Sequence, residues 1–213
     1  MTFPFPGVSA ALDDEALILR SAAPLHILSS AVVGGGFVDA RVIINRHVSK
    51  QYDNPDPAAD LMTFARQRGV EGLFVGLMTA VYMRNTQIVT LNEGDLLLTL
   101  VITSGFSNAT AAGLSPGVQV RPGTINSILL IDARLSSAAM VNAIITATEA
   151  KTSTLCDWGL QTPDGLPATG TSTDTVVVAC SGRGPELAYA GPVTPVGRLI
   201  GRAVRQGLEA RRP

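Results

Sequence analysis

The strongest constraint on the fold is a succession of short apolar runs, rich in Val, Ile and Leu, that are separated by turn signals. Such runs, bounded by Gly, Pro, Asn or Asp, are typical of β-strands. Because most of them follow one another directly and few helical patterns intervene, the sequence favours an α+β layered domain over a regular βαβ repeat. The predicted strands are 17–20, 25–33, 37–45, 73–81, 87–90, 96–104, 126–132 and 175–180.

Helical patterns occur at three places. Asp56 is the predicted N-cap of the first helix, with Pro57 in its first turn. A long helix is predicted over 137–157, and apolar residues recur at helical spacing opposite arginines near the C-terminus. We therefore expect residues 1–213 to form one domain, in which a mostly antiparallel or mixed sheet packs against the long helix and a C-terminal amphipathic helix.

Charge and hydropathy exclude several classes of function. The 16 Lys and Arg against 17 Asp and Glu give a net charge of -1, so there is no basic field for nucleic acid. No apolar stretch reaches the roughly 20 residues of a membrane-spanning helix. The first residues carry no secretory signal, which predicts a cytoplasmic protein. With only 15% charged residues and 21 Gly, part of the surface is expected to be hidden either in the subunit interface of a homo-oligomer or in a large cleft.

Motifs for cofactors and metals do not stand out. Cys156 and Cys180 have no CxxC partner and are predicted to be reduced, buried thiols. His26 and His47 form no zinc-binding pattern, and no phosphate-binding or dinucleotide motif is present. No cofactor and no set of metal ligands is evident in the sequence, which leaves the cofactor and the metal requirement open.

Polar side chains at three places are candidates for chemistry. On the long helix, a narrow stripe carries one charge, Glu149, beside alanines, which suits either a solvated face or close approach to another surface or a ligand. The hydroxyl-rich segment 169–174 could bind a polar group or form an ordinary turn. His47 is the better-placed imidazole, and 104–109 and 122–126 are small polar turns.

Eight segments follow one another in order along the chain: LSSAVVGGG (28–36), INRHVSKQYDNPDP (44–57), VGLMTA (75–80), SNATAAG (107–113), PGTIN (122–126), NAIITATEAKT (142–152), LPATGTSTDTVVVAC (166–180) and GRLIGRAV (197–204). Together, over about residues 25–206, they resemble the adenosylcobinamide amidohydrolase family. In that family a small-residue stretch is usual where this chain has 102–106, which bears on the shape of the pocket.

The resemblance implies a hydrolase of corrinoid salvage. Its reaction is cleavage of the amide that joins aminopropanol to the corrin ring of adenosylcobinamide, giving adenosylcobyric acid and aminopropanol. The corrinoid is then the substrate and not a cofactor, and a broad cleft is expected. Two alternatives stay open: a corrinoid-binding protein without catalysis, and an amidase acting on an unrelated amide.

The catalytic residues are a hypothesis drawn from residue types. We expect Glu149 to act as general base or acid, with Asp174 orienting or activating. Thr171 and Thr173 would donate to the oxyanion or, as a second possibility, supply the nucleophile. Lys151 would stabilise charge, although it points to the opposite side of the helix from Glu149.

Substrate contacts are expected from polar side chains of the same segments. The candidates are His47, Lys50, Asn108, Asn126, Asn142 and Thr146.

Overall fold

The computed structural model describes residues 3–117 and 124–213. Its first strands are β1 (Val8–Leu12), β2 (Ala16–Ser29), β3 (Gly36–His47), β4 (Val75–Thr79), β5 (Gln87–Glu93) and β6 (Leu96–Ser104). The later strands are β7 (Ala109–Thr110), β8 (Ile125–Ile131), β9 (Arg134–Leu135), β10 (Gly170–Thr171), β11 (Thr175–Cys180) and β12 (Glu186–Leu187). The helices are α1 (Pro57–Gln67), α2 (Ser137–Asp157) and α3 (Pro195–Glu209).

Eight strands form one mixed, mostly antiparallel sheet. Its order is β4-β3-β2-β11-β8-β6-β5, and β1 pairs with β2 outside this path. Only the β3–β4 and β8–β11 pairs are parallel in this sheet. Together with the three helices, this arrangement confirms the predicted α+β class.

The long strand β2 joins two parts of the sheet. One part contains β1, β3 and β4, and the other contains β5, β6, β8 and β11. β1 pairs with its first half, at Leu17–Ser21, whereas β11 pairs with its second half, at His26–Ser29. Between these halves, residues 21–24 of β2 stand against the single residue Arg41 of β3, so the register shifts at a bulge-like irregularity. Bulges bend a strand and increase its twist, so the two parts can face each other.

Three apolar clusters show how the layers stack. One cluster lies between α2 and α3 and the sheet part formed by β6, β8 and β11. A second combines residues of β2, β3 and β4 with residues of β6, β8 and β11, so it fills the space between the two sheet parts. A third packs α1 against the outer side of β2 and β3. The layers are therefore, in order, α1, the two parts of the sheet, and the pair of helices α2 and α3.

The helix boundaries follow from their caps. Asp56 Oδ1 accepts a hydrogen bond from the Ala59 N–H at 2.9 Å, and Pro57 begins α1. Ser136 Oγ accepts from the Ala139 N–H at 3.1 Å, so α2 begins at the next residue and covers the predicted range. These side chains satisfy N–H groups that have no partner inside the first helical turn.

Two strand predictions differ from the structure. The predicted strand 17–20 and residues 25–29 of the predicted strand 25–33 are parts of β2, because the exposed residues around Pro24 interrupt the alternation without ending the strand, whereas residues 30–33 follow its end. β1 was not predicted, since four of its five residues are exposed and give no apolar run. Residues 122 and 123 of the predicted 122–126 turn lie outside the described residues.

The cysteine prediction is half wrong. Cys180 is buried on β11, but Cys156 is exposed near the end of α2. Burial raises the pKa of the Cys180 thiol to about 12. Within residues 3–117 and 124–213, no helix is long and apolar enough to cross a membrane.

The two thiols should therefore differ in reactivity. The thiolate is the reacting species, so iodoacetamide at pH 8 should alkylate Cys156 and leave Cys180 unmodified in the folded protein. Peptide mass spectrometry measures both positions, and unfolding in urea should expose Cys180 as a control. Rapid labelling of Cys180 in the native state would contradict its burial.

Candidate active site

Several strand ends meet at one end of the folded sheet. The C-terminal ends of β3 and β4 are joined by the bond from the Val48 N–H to the Thr79 carbonyl at 2.8 Å. The segments after β6 and before β8 are joined by the Gly105 N–H, which donates to the Thr124 carbonyl at 3.1 Å. Asp174 precedes β11 and contacts the start of β8. This end carries most of the predicted site residues.

At the α2 side of this end, Asp174 forms the centre of a partly buried cluster. Its Oδ2 is ion-paired with Lys151 on α2 and accepts from the Thr171 N–H at 3.2 Å. Its Oδ1 accepts from Thr171 Oγ1 at 2.5 Å and from the Ile125 N–H at 3.1 Å. The side chains of Lys151 and Asp174 are only 11% and 14% exposed. We call Lys151, Thr171 and Asp174 the Asp174 cluster.

A short ladder holds the hydroxyl-rich segment over this cluster. β10 pairs with β7 through Gly170 opposite Thr110. A Cβ at Gly170 would lie 2.5 Å from Asp174 Oδ2 and 2.8 Å from Lys151 Nζ, so the ion pair leaves no room for a side chain there. Asn108 Nδ2 donates to Ser172 Oγ at 2.7 Å and ties the segment after β6 to this turn.

Between the two sheet parts, Asn126 makes a buried hydrogen-bond network. Its Nδ2 donates to Asn45 Oδ1 on β3 at 2.8 Å and to the Met78 carbonyl on β4 at 2.9 Å. Asn45 Nδ2 in turn donates to Thr103 Oγ1 on β6 at 3.1 Å. Thr124 Oγ1 lies 3.0 Å from Asn126 Oδ1 and continues the network. Asn126 is 1% exposed, so it acts inside the protein.

The network reaches the Asp174 cluster through the backbone. Thr124 Oγ1 donates to the carbonyl of Thr173 at 2.6 Å, immediately before Asp174. Hydrogen bonds inside a protein are stronger than in water, and an unpaired group there is costly. The network therefore fixes the loop that carries the carboxylate.

At the ends of β3 and β4, an imidazole and an aromatic ring are in contact. His47 Nδ1 lies 3.1 Å from the Val81 carbonyl, and because a carbonyl only accepts, Nδ1 carries the hydrogen. The His47 and Tyr82 ring centroids are 5.2 Å apart. The guanidinium carbon of Arg84 lies 4.4 Å from the Tyr82 ring centroid. Tyr82 and Arg84 were not among the predicted residues.

A cavity of about 390 Å³ opens on the α1 side of His47. Two arginines line it, but Arg46 is ion-paired with Asp60 at 2.9 Å and Arg68 with Asp13 at 2.6 Å. Their charges are thus compensated within the protein. Burial opposes ionisation of Asp60, yet the hydrogen bonds from Arg46 and Tyr52 keep its pKa below the usual value.

Eight of the eleven predicted residues lie outside the Asp174 cluster; besides Thr173, His47, Asn108 and Asn126, described above, these are Glu149, Thr146, Asn142 and Lys50. Glu149 is exposed, two residues before Lys151, so α2 presents Lys151 and not Glu149 to Asp174. Thr146 is 2% exposed and donates to the Ala190 carbonyl at 2.9 Å, which packs α2 against the segment before α3. Asn142 is half-buried on the same helix, and Lys50 is exposed three residues after His47.

The polar stripe of α2 comprises Asn142, Thr146, Glu149 and Ser153, and two of these residues contact α3 or the segment before it. Besides Thr146, Ser153 accepts a hydrogen bond from Arg205 of α3 at 2.6 Å. Of the two interpretations left open by the sequence, close approach to another surface fits these residues, and that surface belongs to the same chain. Within the described ranges, no three His, Cys, Asp or Glu side chains converge as metal ligands.

Known proteins resemble this chain over most of its length. The profile described as "CbiZ: Adenosylcobinamide amidohydrolase" matches residues 7–210. An adenosylcobinamide amidohydrolase of Methanosarcina mazei is 37% identical over 208 residues, which cover 93% of this chain and 94% of that protein. A protein of the same name from Halobacterium salinarum is 36% identical over 115 residues, covering 51% of this chain and 47% of the relative.

A solved structure shares the fold. The PH0078 protein from Pyrococcus horikoshii aligns with a TM-score of 0.52 at 11% identity, and the match covers 97% of this chain and 79% of that chain. At this identity the likeness concerns the fold alone.

Removing the Asn126 side chain should destabilise the protein. Asn126→Ala leaves the buried Asn45 Oδ1 and Met78 carbonyl without donors, so we expect the free energy of unfolding to fall by about 2–4 kcal/mol. Urea denaturation measures it. Asn92→Ala, at an exposed position on β5, is the control and should change it by less than about 0.5 kcal/mol. Equal effects of both substitutions would contradict the network.

A methyl group at Gly170 should disturb the Asp174 cluster. We expect Gly170→Ala to lower the free energy of unfolding by about 1–3 kcal/mol, because the added Cβ overlaps the ion pair. Gly201→Ala is the matched control, since a Cβ there meets no atom within 4 Å and should stabilise α3 by about 0.5–1 kcal/mol. Thermal denaturation compares the two, and a stabilised Gly170→Ala variant would show that the site has room.

Proposed function

The chain belongs to the adenosylcobinamide amidohydrolase family and is an amidohydrolase, and we propose that the Asp174 cluster is where it hydrolyses its substrate. The proposed reaction cleaves the amide between aminopropanol and the corrin ring of adenosylcobinamide. Its products are adenosylcobyric acid and aminopropanol. The family supports the reaction, and the hydrogen bond between Thr171 Oγ1 and Asp174 Oδ1 is the observation that supports the site.

The hydrogen bonds of Asp174 favour Thr171 as the attacking hydroxyl. An ionised carboxylate has about four acceptor positions, and here Asp174 accepts from Lys151 Nζ, the Thr171 N–H, Thr171 Oγ1 and the Ile125 N–H. A water molecule would have to displace one of these donors to reach the carboxylate. The hydroxyl of Thr171 is already in place to lose its proton to Asp174.

The proposed reaction then has two stages. Asp174 takes the hydroxyl proton while Thr171 Oγ1 bonds to the amide carbon, and the protonated Asp174 gives this proton to the nitrogen of the leaving aminopropanol. The corrinoid acyl group is then held as an ester on Thr171. Water attacks this ester with Asp174 as base, which releases the corrinoid carboxylic acid and restores the Thr171 hydroxyl.

Lys151 would orient the base. Its ammonium holds Asp174 Oδ2, so Oδ1 remains directed at Thr171. A base fixed by a third group is the arrangement found in catalytic triads. Lys151 also places positive charge beside the reacting centre, where the tetrahedral intermediate develops negative charge.

The other predicted contacts are assigned by their position. Asn108 holds Ser172 beside Thr171, and we propose that it positions this turn against the substrate. His47 and Lys50 lie at the ends of β3 and β4 and would meet the substrate further from the reacting amide. Both cysteines are free, as expected for a reducing compartment, which supports a cytoplasmic reaction.

Substitution of Thr171 tests the nucleophile. Thr171→Val keeps the shape without the hydroxyl, so we expect kcat for aminopropanol release from adenosylcobinamide to fall at least about 1000-fold. Thr171→Ser keeps the hydroxyl and should stay within about tenfold of wild type. Liquid chromatography with mass spectrometry quantifies adenosylcobyric acid, and the intact protein mass of wild type after rapid quenching should show the acyl ester.

Variants of the charged residues complete this test. Asp174→Asn should lower kcat by about 10²–10⁴-fold through loss of the base. Glu149→Gln is the matched carboxylate control, and we expect it to keep wild-type activity. If a folded Thr171→Val protein keeps wild-type activity, the Thr171 hydroxyl is not the nucleophile, and water takes that role. Binding of adenosylcobinamide without product would contradict hydrolysis itself.

A further inference from the structure

An exposed aromatic ring contacts two polar planar groups at the end of the molecule that carries the Asp174 cluster. Tyr82 is 56% exposed, with the His47 ring centroid at 5.2 Å and the Arg84 guanidinium carbon at 4.4 Å from its own centroid. The three side chains, which we call the Tyr82 stack, offer planar surfaces to solvent. Only 5% of the residues of this chain are aromatic, so few other rings could serve a planar ligand.

The Tyr82 stack adjoins the proposed site through the loop after β6. A Cβ on Gly105 would lie 2.9 Å from Val81 Cγ2, so this loop contacts the residue before Tyr82. The Gly105 N–H donates a hydrogen bond to the Thr124 carbonyl, and the N–H of Ile125, which follows Thr124, donates to Asp174. One large ligand could therefore contact the Tyr82 stack and reach Thr171 at the same time.

The guanidinium of Arg84 has no carboxylate partner among residues 3–117 and 124–213. By contrast, Arg46 and Arg68, which line the cavity beside His47, are ion-paired and stack on Phe64. Arg84 is held by the Tyr82 ring through a cation–π contact. Its N–H donors remain for a ligand that stacks on the ring or on the guanidinium plane.

We infer that the Tyr82 stack binds the adenine ring of the adenosyl group and sets the preference for the adenosylated substrate. This inference rests on the proposed function. Adenine is planar and aromatic and carries ring nitrogens that accept hydrogen bonds from a guanidinium. Nucleobases stack on aromatic side chains and on arginine with a gain of roughly tenfold or more in affinity.

Binding of two corrinoids tests the inference. Equilibrium dialysis in the Thr171→Val background, where the substrate should not be consumed during the measurement, followed by visible absorbance, gives the Kd of adenosylcobinamide and of methylcobinamide, which carries a methyl group in place of adenosyl. Tyr82→Ala should weaken adenosylcobinamide binding about tenfold or more and change methylcobinamide binding less than twofold. Tyr82→Phe keeps the ring and should bind both as wild type does.

A matched control separates stacking from general loss of an exposed tyrosine. Tyr189 is 72% exposed in the segment before α3, and Tyr189→Ala should leave both Kd values unchanged. Equal weakening of both corrinoids by Tyr82→Ala, or no weakening, would overturn the inference. If Tyr82→Ala weakens only adenosylcobinamide binding but the wild type releases no aminopropanol, the inference is supported and the proposed hydrolysis fails.

Discussion

At the end of the folded sheet that carries the site, the side-chain amide of Asn126 holds the two parts of the sheet together. It donates to Asn45 on β3 and to the Met78 carbonyl on β4, while its own strand, β8, belongs to the opposite part. Since an amide buried without partners is costly, these bonds fix the relative position of the two parts. The strand ends that carry His47 and Asp174 are thereby set in one place.

The Asp174 cluster is better explained by chemistry than by stability. A partly buried ion pair adds little net free energy to folding, because the loss of hydration offsets the attraction, and apolar residues of similar volume would pack as well. Here the pair instead directs a carboxylate at the Thr171 hydroxyl, and Gly170 leaves the space that the pair needs. The fold thus accommodates a charged group where a reaction needs one.

Local pattern was sufficient for much of the fold and for part of the site. Caps and apolar periodicity predicted α2 to its ends, since these interactions lie within a few residues of each other. The polar stripe of α2 was ambiguous, because a helix surface shows which residues share a face and not what covers that face. Tyr82 was missed, as one aromatic residue after a strand carries no motif, although its rarity in this chain was a signal.

The sequence by itself determined the α+β class, the helices, and, through ordered segments along the chain, the family and its reaction. Only the tertiary structure decided that Lys151, and not Glu149, meets Asp174, and that Asn126 serves the interior. The physical reason is the distance along the chain over which each interaction acts. Caps and periodicity act between neighbours in the chain, whereas Lys151 and Asp174 are brought together by packing α2 on a sheet whose bend begins in β2.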